Sequence, residues 1–97
     1  MYARVAAFEG GDNERLMQLN EERMASGEMN PPEGIKRVML LNDVANGTRL
    51  FITFFDSREA LTAAEARFES MGDEIPEDVR GRRTSVAVYE VALDQEP

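Results

Sequence analysis

The sequence predicts one α+β domain whose strands and helices follow in the order β-α-β-β-α-β. Three observations predict it. Two β-rich runs, 35–42 and 49–55, flank an Asn-Gly pair, which is typical of a tight hairpin turn. An apolar stripe with helical spacing lies on each side of that hairpin, and a further β-rich run lies near each end of the chain. The 97 residues make a single domain, 1–97, with no linker and no repeat beyond its two βαβ-like halves.

The first half of the chain predicts a strand, a helix and a loop. Residues 2–9 form the strand, and Gly10-Gly11 ends it. Asp12 or Asn13 caps the helix, because a short side-chain acceptor can satisfy the amides of the first turn. The helix covers residues 14–26. The stretch 27–34 contains two prolines, which cannot continue a helix, and is predicted to be a loop.

The central hairpin predicts that both faces of the sheet are covered. With Asn46-Gly47 as the turn, Leu40 faces Thr53 and Val38 faces Phe55. Apolar residues then occupy both faces, whereas a half-exposed antiparallel hairpin would alternate apolar with polar residues. One face receives the domain's own helices. The other needs a second protein surface, so we expect a homodimer.

The second half predicts a helix and a last strand. Asp56 starts the helix, with Glu59 three residues on in a capping arrangement. An apolar stripe follows at helical spacing, and Gly72 ends the helix. Residues 73–83 form a polar connection with one helical turn around 75–79, and residues 84–93 form the strand. This order predicts the ferredoxin-like fold, a four-stranded antiparallel sheet with two helices on one face.

Composition excludes several classes of function. The chain has 19 acidic and 11 basic residues, a net charge of −8, which disfavours binding to nucleic acid or to an anionic membrane. It has no Cys and no His, which excludes a thiol nucleophile, an imidazole base, a histidine-ligated haem and an ordinary zinc site. We therefore expect no cofactor. The first ten residues lack a signal-peptide pattern and no apolar run is long enough to span a membrane, so we expect a cytoplasmic protein.

The stretch PPEGIKRVMLLNDVANGTRLFITFFDSREAL resembles the dimeric α+β barrel superfamily, especially the antibiotic-biosynthesis-monooxygenase-like group. The group's pattern corresponds here to Gly34, Gly47, Phe54-Phe55 and Asp56-Ser57. The opening YARVAAFEG and the closing SVAVYEVAL resemble the group's first and last strands. The resemblance implies that two sheets pack face to face in a dimer. It also implies that each protomer holds an apolar aromatic substrate, a quinone-like polyketide or haem between its sheet and helices, and that oxygenation there needs no metal or flavin supplied by the protein.

The chain departs from the group's well-known chemistries. The haem-degrading members use a histidine ligand and a tryptophan on the third strand, and this chain has neither residue type. The quinone-forming members also rely on a tryptophan. We therefore expect the fold to be shared, whereas haem degradation is not expected and the reaction is left open.

The resemblance directs the third strand's Phe55, with Thr53 and Phe51, towards the helices. Asn20 and Arg23 lie near the inward stripe of the first helix, where they could polarise a carbonyl or phenolate oxygen. The candidate ligand pocket consists of Asn20, Arg23, Phe51, Thr53, Phe55, Phe68 and Tyr89. Core packing of the aromatic residues and solvated or ion-paired positions for the polar ones are the alternatives, and Tyr89 could donate to the dimer partner instead.

Two arginines, Arg4 and Arg37, lie on strands whose neighbouring residues are apolar. Each needs an acidic partner, which we expect across a subunit interface.

Two hypotheses of function remain open at this point. The first is a small-molecule-binding protein acting on an apolar aromatic ligand, with cofactor-independent monooxygenase-like chemistry. The second is a non-catalytic dimeric interaction or regulatory module whose pocket is filled by its own side chains.

Overall fold

The computed structural model describes residues 1–26 and 34–96. The predicted loop 27–34 therefore lies outside the described residues, apart from Gly34. The element order confirms the prediction, with one short additional helix where a single helical turn was expected. The elements are β1 (Tyr2–Glu9), α1 (Asn13–Ser26), β2 (Ile35–Asp43), β3 (Thr48–Phe55), α2 (Arg58–Glu74), α3 (Glu77–Arg80) and β4 (Arg82–Glu90).

The four strands form one antiparallel sheet in the order β2-β3-β1-β4. The first strand of the chain is thus an inner strand, paired with β3 on one side and β4 on the other. The two helical crossovers place α1 and α2 on the same face of the sheet. This arrangement confirms the ferredoxin-like α+β fold. Among the described helices, none is long and apolar enough to cross a membrane.

The hairpin register differs from the prediction by two residues. Val38 lies opposite Thr53, and Leu40 lies opposite Phe51. The two-residue turn was wrong because Asp43 organises a longer loop over residues 44–47: its carboxylate accepts hydrogen bonds from the backbone N–H and the Nδ2 of Asn46, at 3.3 and 2.7 Å. A shift of two residues leaves every side chain on the same face, because side chains alternate with a period of two.

The two faces of the sheet differ in what covers them. Residues directly opposite one another share a face, so Arg4, Thr53 and Val38 point to the side where α2 packs. We call the other side the open face. It consists of partly exposed, mostly apolar residues: Val5, Ala7, Met39, Leu41, Leu50, Ile52, Phe54, Ala87 and Tyr89. The described helices lie on the opposite side from it.

The N-cap of helix α2 lies one residue later than predicted, and the helix ends two residues later than predicted. Ser57, and not Asp56, is the N-cap, and its Oγ accepts a hydrogen bond from the Ala60 N–H at 3.2 Å. The helix continues through Gly72 to Glu74. Strand β4 covers Arg82–Glu90, so it begins two residues and ends three residues before its predicted range, 84–93.

The main hydrophobic core lies between α2 and the inner strands. It contains Phe55, Leu61, Ala64 and Phe68. The rings of Phe55 and Phe68 meet edge to face, with centroids 6.1 Å apart and planes at 84°. Helix α1 contributes no residue to this cluster and instead packs against α3.

Candidate functional site

A buried arginine lies at the centre of the helix-covered face. Arg4 is 3% exposed, and its Nε lies 3.3 Å from both carboxylate oxygens of Glu65. Its guanidinium carbon lies 4.4 Å from the centroid of the Phe68 ring, a favourable cation–π geometry. The prediction that Arg4 pairs with an acidic residue across a subunit interface is wrong, because its partner, Glu65, lies on α2 of the same chain.

Thr53 lies directly opposite Arg4 and carries an unpaired hydroxyl. The side chain is wholly buried, and its Oγ1 has no hydrogen-bond partner among the residues that the structure describes. Leaving a buried hydroxyl unpaired costs about 1–3 kcal/mol. Buried polar groups in folded proteins are nearly always paired, so an exception marks a position that a bound molecule or water can serve.

The sheet next to Thr53 is only partly covered on its helix side. Val38 lies opposite Thr53 on the edge strand and is 46% exposed, although it points towards the helices. Leu40 and Phe51, opposite one another, are half-buried. We call the sheet surface formed by Val38, Leu40, Phe51 and Thr53 the helix-side groove.

The structure brings part of the predicted pocket together. Phe51, Thr53 and Phe55 share the helix-covered face of β3, and Phe68 packs against Phe55 from α2. Phe55 and Phe68 belong to the core, whereas Phe51 borders the groove. A ligand at these positions stays a prediction.

Of the other polar residues of the predicted pocket, Tyr89 lies apart from Thr53. Asn20 and Arg23 are both half-buried on α1. Tyr89 lies opposite Ala3 on the open face, with 57% of its surface exposed, so the sheet separates it from the groove.

Sequence analysis missed Arg4 and Glu65 as a central pair on this face. The available signal was the alternation of β1, in which Tyr2, Arg4 and Ala6 share one face. A charged residue in the middle of an inward-facing set must find a partner on the element that covers it.

The residues of the chain do not fit a haem whose iron is held by a His or Cys side chain. There is no His or Cys in the sequence, which leaves Met and Tyr as candidate axial ligands. Tyr2 packs against the core cluster, and Tyr89 lies on the open face. Among the described residues, no group of three or more acidic residues is arranged to hold a metal ion.

A second concavity lies at one end of the sheet, where the β1–α1 turn meets the β2–β3 loop. This end cavity has a volume of about 180 Å³. Pockets for drug-sized ligands usually measure roughly 300–1,000 Å³, so this one suits only a small molecule or ion. Its lining consists of Gly10, Gly11, Asn13, Asn42, Asp43, Val44, Gly47, Thr48 and Arg49.

Comparison with solved structures identifies the fold. A mutant of MhuD, crystallised with two manganese protoporphyrin IX molecules in each active site, is 16% identical, with a TM-score of 0.59 and 100% of both chains covered. A protein from Deinococcus radiodurans, provisionally assigned as an antibiotic biosynthesis monooxygenase, is 13% identical, with a TM-score of 0.62 and coverage of 100% of this chain and 98% of that one. No protein-family model and no curated protein sequence matches the chain. The chain therefore shares its ferredoxin-like fold with both of these structures.

Proposed function

We propose that the protein binds an apolar aromatic small molecule in the helix-side groove. The observation that carries this proposal is the fully buried, unpaired hydroxyl of Thr53 beside the half-exposed Val38. A ligand with an aromatic body would cover Val38 and Phe51. Because Thr53 is wholly buried, the ligand would have to displace a neighbouring side chain. A carbonyl or phenol oxygen on the ligand would then pair with the Thr53 hydroxyl and remove the cost of leaving it unpaired.

The chemistry that this groove best supports is oxygenation without a protein-bound cofactor. A CH₂ group between two aromatic rings would become a ketone, with O₂ as the oxidant and water as the second product. The substrate supplies the electrons: its CH₂ is conjugated through the rings with a ketone, so loss of the proton to water gives an enolate that reacts with O₂. Asn20 and Arg23 of α1, with Thr53, would stabilise the negative charge on the enolate oxygen. This proposal is supported by the structural similarity to the Deinococcus radiodurans protein, which has been provisionally assigned as a monooxygenase.

Anthrone is a suitable probe, because its oxidation to anthraquinone follows this stoichiometry and changes its absorbance. We expect the protein to raise the rate of O₂ consumption above that of anthrone alone. Thr53→Val removes only the hydroxyl and should weaken binding of the probe without unfolding the chain. Arg82→Gln is the matched control, since Arg82 is an exposed residue at the end of the sheet. If anthrone neither binds nor reacts, or binds Thr53→Val equally well, the proposal fails.

We further propose that the protein works as a homodimer in the cytoplasm. The open face supports the dimer, since Leu41 and Leu50 there are 46% and 37% exposed and adjoin the half-buried Ile52. A continuous apolar surface of this kind is typical of an interface with another protein. Ile52→Lys should give a monomeric mass by light scattering at micromolar concentration. Val44→Lys, in the exposed hairpin loop, should leave the dimer intact. A monomeric mass for the unmodified protein would contradict the dimer.

One observation favours the second candidate, a non-catalytic dimeric module. Phe55 and Phe68 fill the space beneath α2 with their own rings, so that part of the helix–sheet interface is core. In that case a screen of aromatic compounds would give no binding, while Ile52→Lys would still dissociate the dimer.

A further inference from the structure

Among the described residues, two arginine side chains are almost wholly buried, and only one of them has a carboxylate partner. Arg4 is 3% exposed and is paired with Glu65. Arg49 is 5% exposed, and its Nη1 donates a hydrogen bond to the backbone oxygen of Arg80 at 2.6 Å. Among the described residues, its Nε has no hydrogen-bond acceptor and no carboxylate forms an ion pair with it. Within that part of the chain, Arg49 is thus a buried charge without a carboxylate partner.

Burying a charge without an opposite charge is costly, by several kcal/mol for a fully buried ion. The carbonyl oxygen of Arg80 supplies one acceptor and only a partial negative charge. The edge of the guanidinium that contains Nε is one of the two edges that can bind an oxyanion through two parallel hydrogen bonds. At Arg49 the structure leaves the Nε of this edge unpaired.

Arg49 also lines the end cavity, and so does Asn13, whose buried Oδ1 has no hydrogen-bond partner among the described residues. Part of the cavity wall is backbone, because Gly10, Gly11 and Gly47 have no side chains to fill the space. At 180 Å³ the cavity has room for several waters, each of which takes about 30 Å³ in the liquid, or for one small ion.

We propose that the end cavity binds a small oxyanion, either a carboxylate or a phosphate group, through the guanidinium of Arg49. Asp43 also lines the cavity, and its carboxylate repels a singly charged anion less than a doubly charged one. This site is separate from the helix-side groove. Its existence does not depend on an aromatic ligand or on a dimer.

The test compares thermal unfolding of the full chain in sodium chloride, sodium acetate and sodium phosphate at one pH and one ionic strength. For the unmodified protein we expect the unfolding midpoint to rise and saturate with acetate or phosphate, but not with chloride. The anion that saturates at the lower concentration distinguishes a carboxylate from a phosphate ligand. Chemical shifts of the Gly10, Gly11 and Gly47 amides should move with the same concentration dependence.

The sharpest variant is Asn13→Asp, which keeps the size of the side chain and places a carboxylate in the cavity. That carboxylate should act as the counter-ion of Arg49, so the apparent dissociation constant for the added anion should rise by at least about tenfold. Arg49→Gln should abolish the saturable response. Arg82→Gln removes a positive charge from an exposed residue at the same end of the sheet and should leave the response intact.

The proposal is overturned if the unmodified protein and the three variants all respond equally, which would mean an adventitious ion only. It is also overturned if the unmodified protein shows no saturable response. If Arg49→Gln does not fold, Asn13→Asp and the amide shifts still decide the question. Failure of anthrone binding with a normal anion response would reject only the aromatic ligand. The reverse result would reject only the anion site.

Discussion

Replacing the two residues of the Arg4–Glu65 ion pair should lower the stability by different amounts. Arg4 is 3% exposed, whereas Glu65 is 39% exposed. Replacing Glu65 with Leu leaves a buried guanidinium without its carboxylate. Replacing Arg4 with Met leaves a carboxylate that water can still reach. We therefore expect Glu65→Leu to lower the free energy of unfolding more than Arg4→Met does.

The magnitude follows from the exposure of the two partners. Removing one half of a fully buried pair costs about 3–5 kcal/mol, whereas an exposed pair contributes about 0–1 kcal/mol. The partial exposure of Glu65 places the loss between these limits, and the Phe68 ring still stabilises the guanidinium after the change. We expect a loss of about 2 kcal/mol for Glu65→Leu, or roughly 8–16 °C in Tm. Arg4→Met should lose about 0.5–1 kcal/mol, mainly the cation–π contact.

Urea unfolding at one protein concentration is the appropriate assay, because self-association would make the apparent stability depend on concentration. The slope of the free energy with urea should stay unchanged, which shows that only stability has changed. The double variant, Arg4→Met with Glu65→Leu, should recover most of the loss of Glu65→Leu alone, since no charge is then left buried. Equal losses in the two single variants, or additive losses in the double variant, would refute the argument.

Three further predictions concern stability. Phe68→Ala removes one ring of the edge-to-face pair and should cost about 3–5 kcal/mol, measured by urea unfolding; a loss below 1 kcal/mol would contradict its place in the core. Gly81→Ala should prevent the native fold, because a Cβ would lie 2.7 Å from two backbone oxygens. At Gly47 a Cβ would meet no atom within 4 Å, so Gly47→Ala should lower the free energy of unfolding by only about 1–2 kcal/mol, because of the positive φ. Comparable melting temperatures for these two variants would refute this contrast. Ser57→Ala removes the N-cap of α2 and should cost about 1 kcal/mol, seen as a lower urea midpoint; an unchanged midpoint would show that the cap is not needed.

Sequence patterns predicted the elements well because each has a local cause. The first strand ends at Gly10-Gly11 as expected, and α2 carries its apolar stripe on the side that meets the sheet. The hairpin register was wrong because the carboxylate of Asp43 binds Asn46 and stabilises a four-residue loop. A side chain three residues from the turn decided the loop length, and a dipeptide signal does not contain that information.

The candidate site was less predictable, because its pairings join distant parts of the chain. Arg4 meets Glu65 across 61 residues, and Arg49 meets the carbonyl of Arg80 across 31. The need for a partner at Arg4 could be predicted from its strand, but not which carboxylate supplies it. The unpaired Thr53 hydroxyl had no signal in the sequence, since only the packed structure shows that no described residue forms a hydrogen bond with it.

The inner position of β1 has a consequence for synthesis on the ribosome. Both strands that pair with β1 come later in the chain, β3 at residues 48–55 and β4 at residues 82–90. At roughly 5–20 residues per second, the apolar β1 segment therefore waits several seconds before its first partner strand has been made. Slow decoding of codons for residues 10–47 would lengthen that wait and should lower the soluble yield, while the same change after β4 should have no such effect.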